Sequence, residues 1–148
     1  MRPSIPEYYT SMLKLVASRS TCPRRQVGAI ITDFKGHVLA TGYNGVPKGY
    51  PHCLDTGGEK DRACPGWSDK SGDTSRCYAI HAEANAILQC SDLSAADTIY
   101  CSTQPCFECC KLIANTPITV IGYVEPYPDT RGIEMLMYLG HQVKQLER

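Results

Sequence analysis

The chain has 148 residues, 15 of them basic and 15 acidic, so its formal charge is zero at neutral pH. That length suits a single domain, 1–148, with one hydrophobic core. The charge balance argues against a nucleic-acid polymer as partner, because such binders carry a basic face, and no stretch approaches the ~20 apolar residues of a membrane span.

The first residues, Met1 to Glu7, lack the apolar run of an export signal, which points to a cytoplasmic protein. Nine cysteines are many for such a chain. An odd number without an export signal fits metal ligation and buried free thiols better than disulfides.

Ser4-Ile5-Pro6-Glu7 reads as a capping box, with Ser at the cap and Glu three residues on. The helix it opens is expected to bury Tyr8, Met12, Leu15 and Val16 and to end near Ser20, before Pro23. Val27 to Thr32 and Val38 to Tyr43, joined by the turn-like Asp33-Phe34-Lys35-Gly36, read as a β-hairpin.

Residues 44–76 are rich in Gly, Pro, Asp and Ser and carry no period; a loop this long in a compact domain is usually functional or anchored. Ile80, Ala84, Ile87 and Leu88 then mark a helix with His81 and Glu83 in its first turn. Thr98-Ile99-Tyr100-Cys101 reads as a strand, followed by a helix opening at Pro105-Cys106 with Leu112 and Ile113 on its apolar face. Ile118 to Val124 is a fourth strand. Thr130 is expected to cap a helix presenting Ile133, Leu136 and Met137 inward, with Gly140 stopping it before a short strand, Gln142 to Leu146. This order predicts an α/β fold of three layers, α/β/α, with a mixed five-stranded sheet and helices on both faces.

The chemistry concentrates in His81-Ala82-Glu83 and Pro105-Cys106-Phe107-Glu108-Cys109, together H-x-E…P-C-x-x-C, the pattern of zinc deaminases. Cys106 and Cys109, three apart at a helix start, share one face. The positive end of the helix dipole there favours thiolate, and Pro105 suits a first turn. His81 as third ligand leaves a tetrahedral zinc one open position for water. Two thiolates and a neutral imidazole cancel the charge of Zn²⁺, so the metal acidifies its water only moderately and a nearby base must help. Glu83 is placed to be that base without binding the metal. A structural zinc site is the alternative, although such sites usually close with four protein ligands.

At these residues the chain resembles the cytidine deaminase superfamily and, within it, the deoxycytidylate (dCMP) deaminases. The resemblance rests on Gln26-Val27-Gly28-Ala29, Gly42-Tyr43-Asn44-Gly45, His81 through Ile87 and Pro105-Cys106 to Cys109, in that order, and covers roughly residues 5–146. It implies a cytidine-deaminase-like fold and hydrolysis of dCMP to dUMP and ammonia by a zinc-activated hydroxide, with Glu83 as proton shuttle. The Ala82 N–H and backbone near Thr103 would bracket the reacting carbon. It also implies effectors, dCTP with Mg²⁺ activating and dTTP inhibiting, at Gly42, Tyr43, Asn44 and Gly45 in a homo-oligomer, by resemblance a hexamer.

For the substrate, Asn44 is the candidate for a sugar or base hydrogen bond, with a turn asparagine as the alternative. Arg24 and Arg25 are candidates for the 5′-phosphate, or solvated surface arginines. Tyr127 could pack on the pyrimidine or simply anchor a loop. Some relatives carry a second, structural zinc. Cys22 and Cys53 match that pattern, with Cys64 and Cys77 as further ligands and His52 as a substitute; scattered free thiols are the alternative. Cys90, Cys101 and Cys110 read as buried small hydrophobes. The competing functions are another zinc deaminase, acting on a nucleoside, nucleobase or tRNA adenosine, and a non-catalytic zinc-organised binding module.

Overall fold

The computed structural model describes residues 1–22, 24–53 and 77–147. Their elements run α1 (Ile5–Ala17), β1 (Gly28–Thr32), β2 (Val38–Tyr43), α2 (Ala82–Gln89), a 3-10 turn (Leu93–Ala95), β3 (Thr98–Thr103), α3 (Phe107–Ala114), β4 (Val120–Glu125), α4 (Arg131–Tyr138) and β5 (Gln142–Gln145). The strands form one sheet in the order β2-β1-β3-β4-β5. β1 is antiparallel to both β2 and β3, whereas β3, β4 and β5 run parallel. The expected mixed five-stranded α/β architecture is therefore present.

Strand alternation divides the core between two faces. Ile30 and Val124 turn towards α1 and meet Leu13 there, with Tyr100 and Leu146 alongside. Ala29, Ile31, Ile99, Cys101 and Ile121 turn to the other face, where Ala82, Ala86, Cys110, Ile113, Ile133 and Leu136 of α2, α3 and α4 cover them. Every residue of β1 is buried, as a central strand requires. Each fully buried Ile or Leu contributes roughly 1.5–3 kcal/mol.

The Ser4 capping box is formed: the Ser4 hydroxyl accepts from the Glu7 N–H, and the Glu7 carboxylate accepts from the Ser4 N–H at 2.7 Å. The buried face of α1 differs from the expected one. It is Tyr9, Thr10, Leu13 and Ala17, while Tyr8 and Leu15 lie exposed and Met12 and Val16 are only partly covered. Tyrosines at both 8 and 9 allow two helical registers, and tertiary contacts choose the second. The Tyr9 ring stacks on Tyr100 at 4.2 Å, and its hydroxyl donates to the Gly36 carbonyl at 2.7 Å.

Leu88, Leu112 and Met137 are likewise exposed, and the buried apolar positions of α2 and α3 are mostly small residues, Ala82, Ala86, Cys109 and Cys110, beside Ile113. Helices brought this close to a sheet leave room only for short side chains. At α4, Thr130 holds the cap position but its hydroxyl donates to Glu134, and the Asp129 carboxylate accepts the Arg131 N–H instead. Gly140, at φ 91°, ends α4 as expected. Its N–H bonds the Met137 carbonyl and that of His141 bonds Leu136, a Schellman pairing.

Candidate active site

Two helix starts meet at the carboxyl end of the parallel strands. His81 is the cap residue of α2 and Cys106 that of α3, and neither side chain caps its own helix. Both turn to each other instead. His81 Nδ1 lies 3.4 Å from Cys106 Sγ and 3.4 Å from Cys109 Sγ. Among the described residues this is the one group of three His, Cys, Asp or Glu ligands drawn together, with all donor atoms within 4.8 Å of one another. Pro105 stands one position before the cap, outside the first turn expected for it.

The donor set fits zinc. A tetrahedral ion with ordinary Zn–N and Zn–S bonds separates its nitrogen and sulfur ligands by about 3.6 Å. One imidazole and two sulfurs also match zinc's borderline softness and leave one tetrahedral position for a further ligand.

The electrostatics follow from crowding. The neighbouring Cys109 and His81 pull the Cys106 thiol down to about 4. Cys106, together with burial, pushes Cys109 up. The hydrogen bond to Cys106 raises His81. Glu83 is 4% exposed, its Oε2 lies 3.4 Å from Cys109 Sγ, and burial raises its carboxyl. A carboxyl so placed is suited to hold and release a proton.

The site opens into a cavity of about 530 Å³. Its lining brings together Arg24, Arg25, Asn44, His81, Ala82, Glu83, Thr103, Cys106 and Tyr127, all expected from the sequence at the catalytic or substrate site. Cys22 and Cys77 also face it. Cys53 is buried, and Cys64 lies outside the described residues.

Several of these residues have structural work as well. The Asn44 side chain, 8% exposed, accepts from the Val27 N–H at 2.9 Å and donates to the Arg25 carbonyl at 2.7 Å. The Arg25 guanidinium lies over the Tyr127 ring, 5.2 Å from its centre. Gly45 pairs with Ile80 in an isolated bridge, and Asn85 Nδ2 donates to the Tyr43 carbonyl at 2.9 Å. The run 42–45 therefore fastens β2 to the start of α2. At Gly42 an added Cβ would run into the Ala82 carbonyl oxygen and the Ala86 nitrogen, so the missing side chain is what admits α2.

Gln104, Phe107, Asp129 and Arg131, outside the residues expected at the site from the sequence, complete the wall. The Arg131 guanidinium is held by the Asp129 carboxylate at 2.8–3.2 Å and lies 4.7 Å from the centre of the Phe107 ring. A usable signal was their place just beyond β3 and β4, since ligands of open α/β sheets gather at the carboxyl ends of parallel strands.

The cytidine and deoxycytidylate deaminase zinc-binding region matches residues 3–125. The deoxycytidylate deaminase of Mycobacterium phage D29 is 41% identical over 124 residues, 82% of this chain and 95% of that protein. The deoxycytidylate deaminase of Saccharomyces cerevisiae is 36% identical over 98% of this chain, which spans 46% of the yeast protein. The crystal structure of dCMP deaminase from cyanophage S-TIM5, in complex with dCMP and dUMP, superposes with a TM-score of 0.76 at 31% identity, covering 99% of both chains. With its zinc-type triad, buried glutamate and matching fold, the chain belongs to the cytidine and deoxycytidylate deaminase family.

Proposed function

We propose that the chain is a hydrolase that converts dCMP to dUMP and ammonia. The observation that carries this is the triad of His81, Cys106 and Cys109 with buried Glu83 beside it, in a cavity also lined by Arg24, Arg25 and Arg131. The likeness to a dCMP deaminase crystallised with dCMP and dUMP supports the choice of substrate.

His81 Nδ1 and the sulfurs of Cys106 and Cys109 would hold the zinc, which would supply an acidified water. Glu83 accepts a proton from that water and delivers it to N3 of the pyrimidine as the C4–O bond forms. It then relays the remaining hydroxyl proton to the amine, and the C4–N bond breaks with release of ammonia. The carboxylate ends as it began. Burial suits it to this cycle, because its proton-bearing and proton-free forms come closer in free energy. The Ala82 N–H and backbone near Thr103 bracket the pyrimidine, and Tyr127 packs near it. Arg24 and Arg25 take the 5′-phosphate. Asn44 has one amide hydrogen and one oxygen lone pair beyond its backbone bonds, enough to reach the sugar. Ammonia release measured with dCMP, CMP, deoxycytidine and dCTP tests the reading; a zinc-loaded protein inactive on dCMP would sink it.

Two finer readings rest on the resemblance. A second zinc, on Cys22, Cys53, Cys64 and Cys77, would tie the long loop to the site. Elemental analysis finding one zinc per chain in fully loaded protein would end that reading. Regulation by dCTP with Mg²⁺ and by dTTP, in a homo-oligomer read as a hexamer, has a physical route, since run 42–45 is bonded both to the start of α2 and to the Arg25 segment. The two effectors must favour different states of the assembly to act in opposite directions. Superimposed dCMP saturation curves with dCTP–Mg²⁺, with dTTP and with neither would exclude it.

A further inference from the structure

We infer that Gln104 is a positioning residue for nucleotide recognition: its buried side-chain amide fixes the loop after β4, and with it the arginine-bearing wall of the cavity. The inference rests on the dCMP reading above.

The loop is Glu125-Pro126-Tyr127-Pro128-Asp129. Its two prolines have no N–H, so between Glu125 and Asp129 only Tyr127 can donate from the backbone. A strand neighbour cannot satisfy so irregular a segment. Gln104 can, because an amide carries an acceptor and a donor side by side. Its Oε1 accepts the Tyr127 N–H at 3.1 Å, and its Nε2 donates to the Asp129 carbonyl at 3.0 Å. Its own N–H donates to the Glu125 carbonyl at 2.7 Å. With the residue 4% exposed, water offers little competition for these bonds.

What the loop carries makes the clamp functional. Tyr127 supports the Arg25 guanidinium, and Asp129 holds Arg131, which in turn lies over Phe107. All five line the cavity. Gln104 immediately precedes Pro105 and Cys106, so one residue joins the metal-ligand turn to the wall bearing two guanidinium groups. Those groups suit the phosphate of a nucleotide rather than its base. Loosening the loop should therefore weaken recognition of the phosphorylated substrate more than the chemistry at C4.

The test uses the zinc-loaded full chain, with steady-state kinetics on dCMP and on deoxycytidine. Gln104→Met keeps the side-chain length and removes both hydrogen bonds; Gln104→Glu keeps the acceptor for Tyr127. For Gln104→Met, KM for dCMP should rise roughly tenfold, with kcat falling by less. The preference for dCMP over deoxycytidine, as a ratio of kcat/KM, should shrink by a similar factor. Gln104→Glu should fall between Gln104→Met and the wild type. Equal losses on both substrates, or a Gln104→Met KM within about twofold of wild type, would overturn the inference. Should Gln104→Met fail to fold, the substrate ratio of Gln104→Glu decides: a reduced ratio supports the role and an unchanged one refutes it. A zinc-loaded wild type inactive on dCMP would remove the functional reading and this inference together, an outcome visible before any variant is made.

Discussion

Gly42 on β2 and Ala82 at the start of α2 leave no space between them: a Cβ on Gly42 would collide with the Ala82 carbonyl oxygen and the Ala86 nitrogen. Both are backbone atoms of one helix, so neither can turn aside. Gly42→Ala must push α2 off the sheet and carry His81 and Glu83 with it. The expected cost is about 1–3 kcal/mol, as for overpacked cores, together with weaker zinc retention. Denaturant melts and zinc content measure the two effects; an unchanged midpoint would mean that α2 is not held by this contact.

Glu83→Gln removes the proton carrier and nearly preserves its shape. Because Glu83 is buried and serves more than one transfer, turnover should fall by more than the ~10²–10⁴ of a single general acid–base step. Zinc content should stay at the wild-type level, since the ligands are His81 and the two cysteines. Near-normal turnover on dCMP would take Glu83 out of the mechanism.

Zinc uptake by metal-free protein should release protons in a pH-dependent number. Cys109 is held protonated by its partner and by burial, and His81 is raised by Cys106, whereas Cys106 itself has titrated by about 4. Zinc takes thiolate and neutral imidazole. Below the raised His81 value, about two protons leave per ion, and above it about one. Affinity should thus climb with pH, more steeply on the acid side. Calorimetry in buffers of different ionisation enthalpy counts the protons. A pH-independent affinity would contradict the protonation pattern.

Much of this architecture can be read along the chain. The order of elements, the Ser4 cap, the Gly140 stop and the four residues of the H-x-E and P-C-x-x-C runs are each fixed by local signals: a hydroxyl before a Glu, a glycine where φ must be positive, ligands at helical spacing. The rotation of α1 is not local. Residues 8, 12, 15 and 16 and residues 9, 13 and 17 both make a helical stripe, and contacts from elsewhere in the fold, among them Tyr100 and Gly36 on Tyr9 and Ile30 and Val124 on Leu13, select the second. The same holds for the wall. Gln104 and Asp129 meet because β3 and β4 run parallel with Thr103 opposite Glu125, so the segments that follow leave from the same end. Hydropathy carries no trace of that pairing.

The Asn44 side chain is shared between scaffold and site. It bridges the Val27 N–H and the Arg25 carbonyl, and so holds the segment that carries Arg24 and Arg25 to the cavity. Asn44→Ala leaves two backbone groups without this partner and should cost about 2 kcal/mol or more, with a raised KM for dCMP. Asn44→Asp is more informative. It keeps the acceptor for Val27 but sets a carboxylate oxygen where an N–H met the Arg25 carbonyl at 2.7 Å. Two oxygens at that distance repel unless one bears a proton, so the new carboxyl is expected to titrate above its unfolded value. A folded-state value that is raised means the native state binds more protons, and stability gains as pH falls through it. Relative to wild type, Asn44→Asp should therefore recover stability between about pH 7 and pH 5, whereas Asn44→Ala should not. Melting curves of the three proteins at both pH values decide it: a gap for Asn44→Asp that does not narrow on acidification would show that the Asn44 amide is not holding the Arg25 carbonyl.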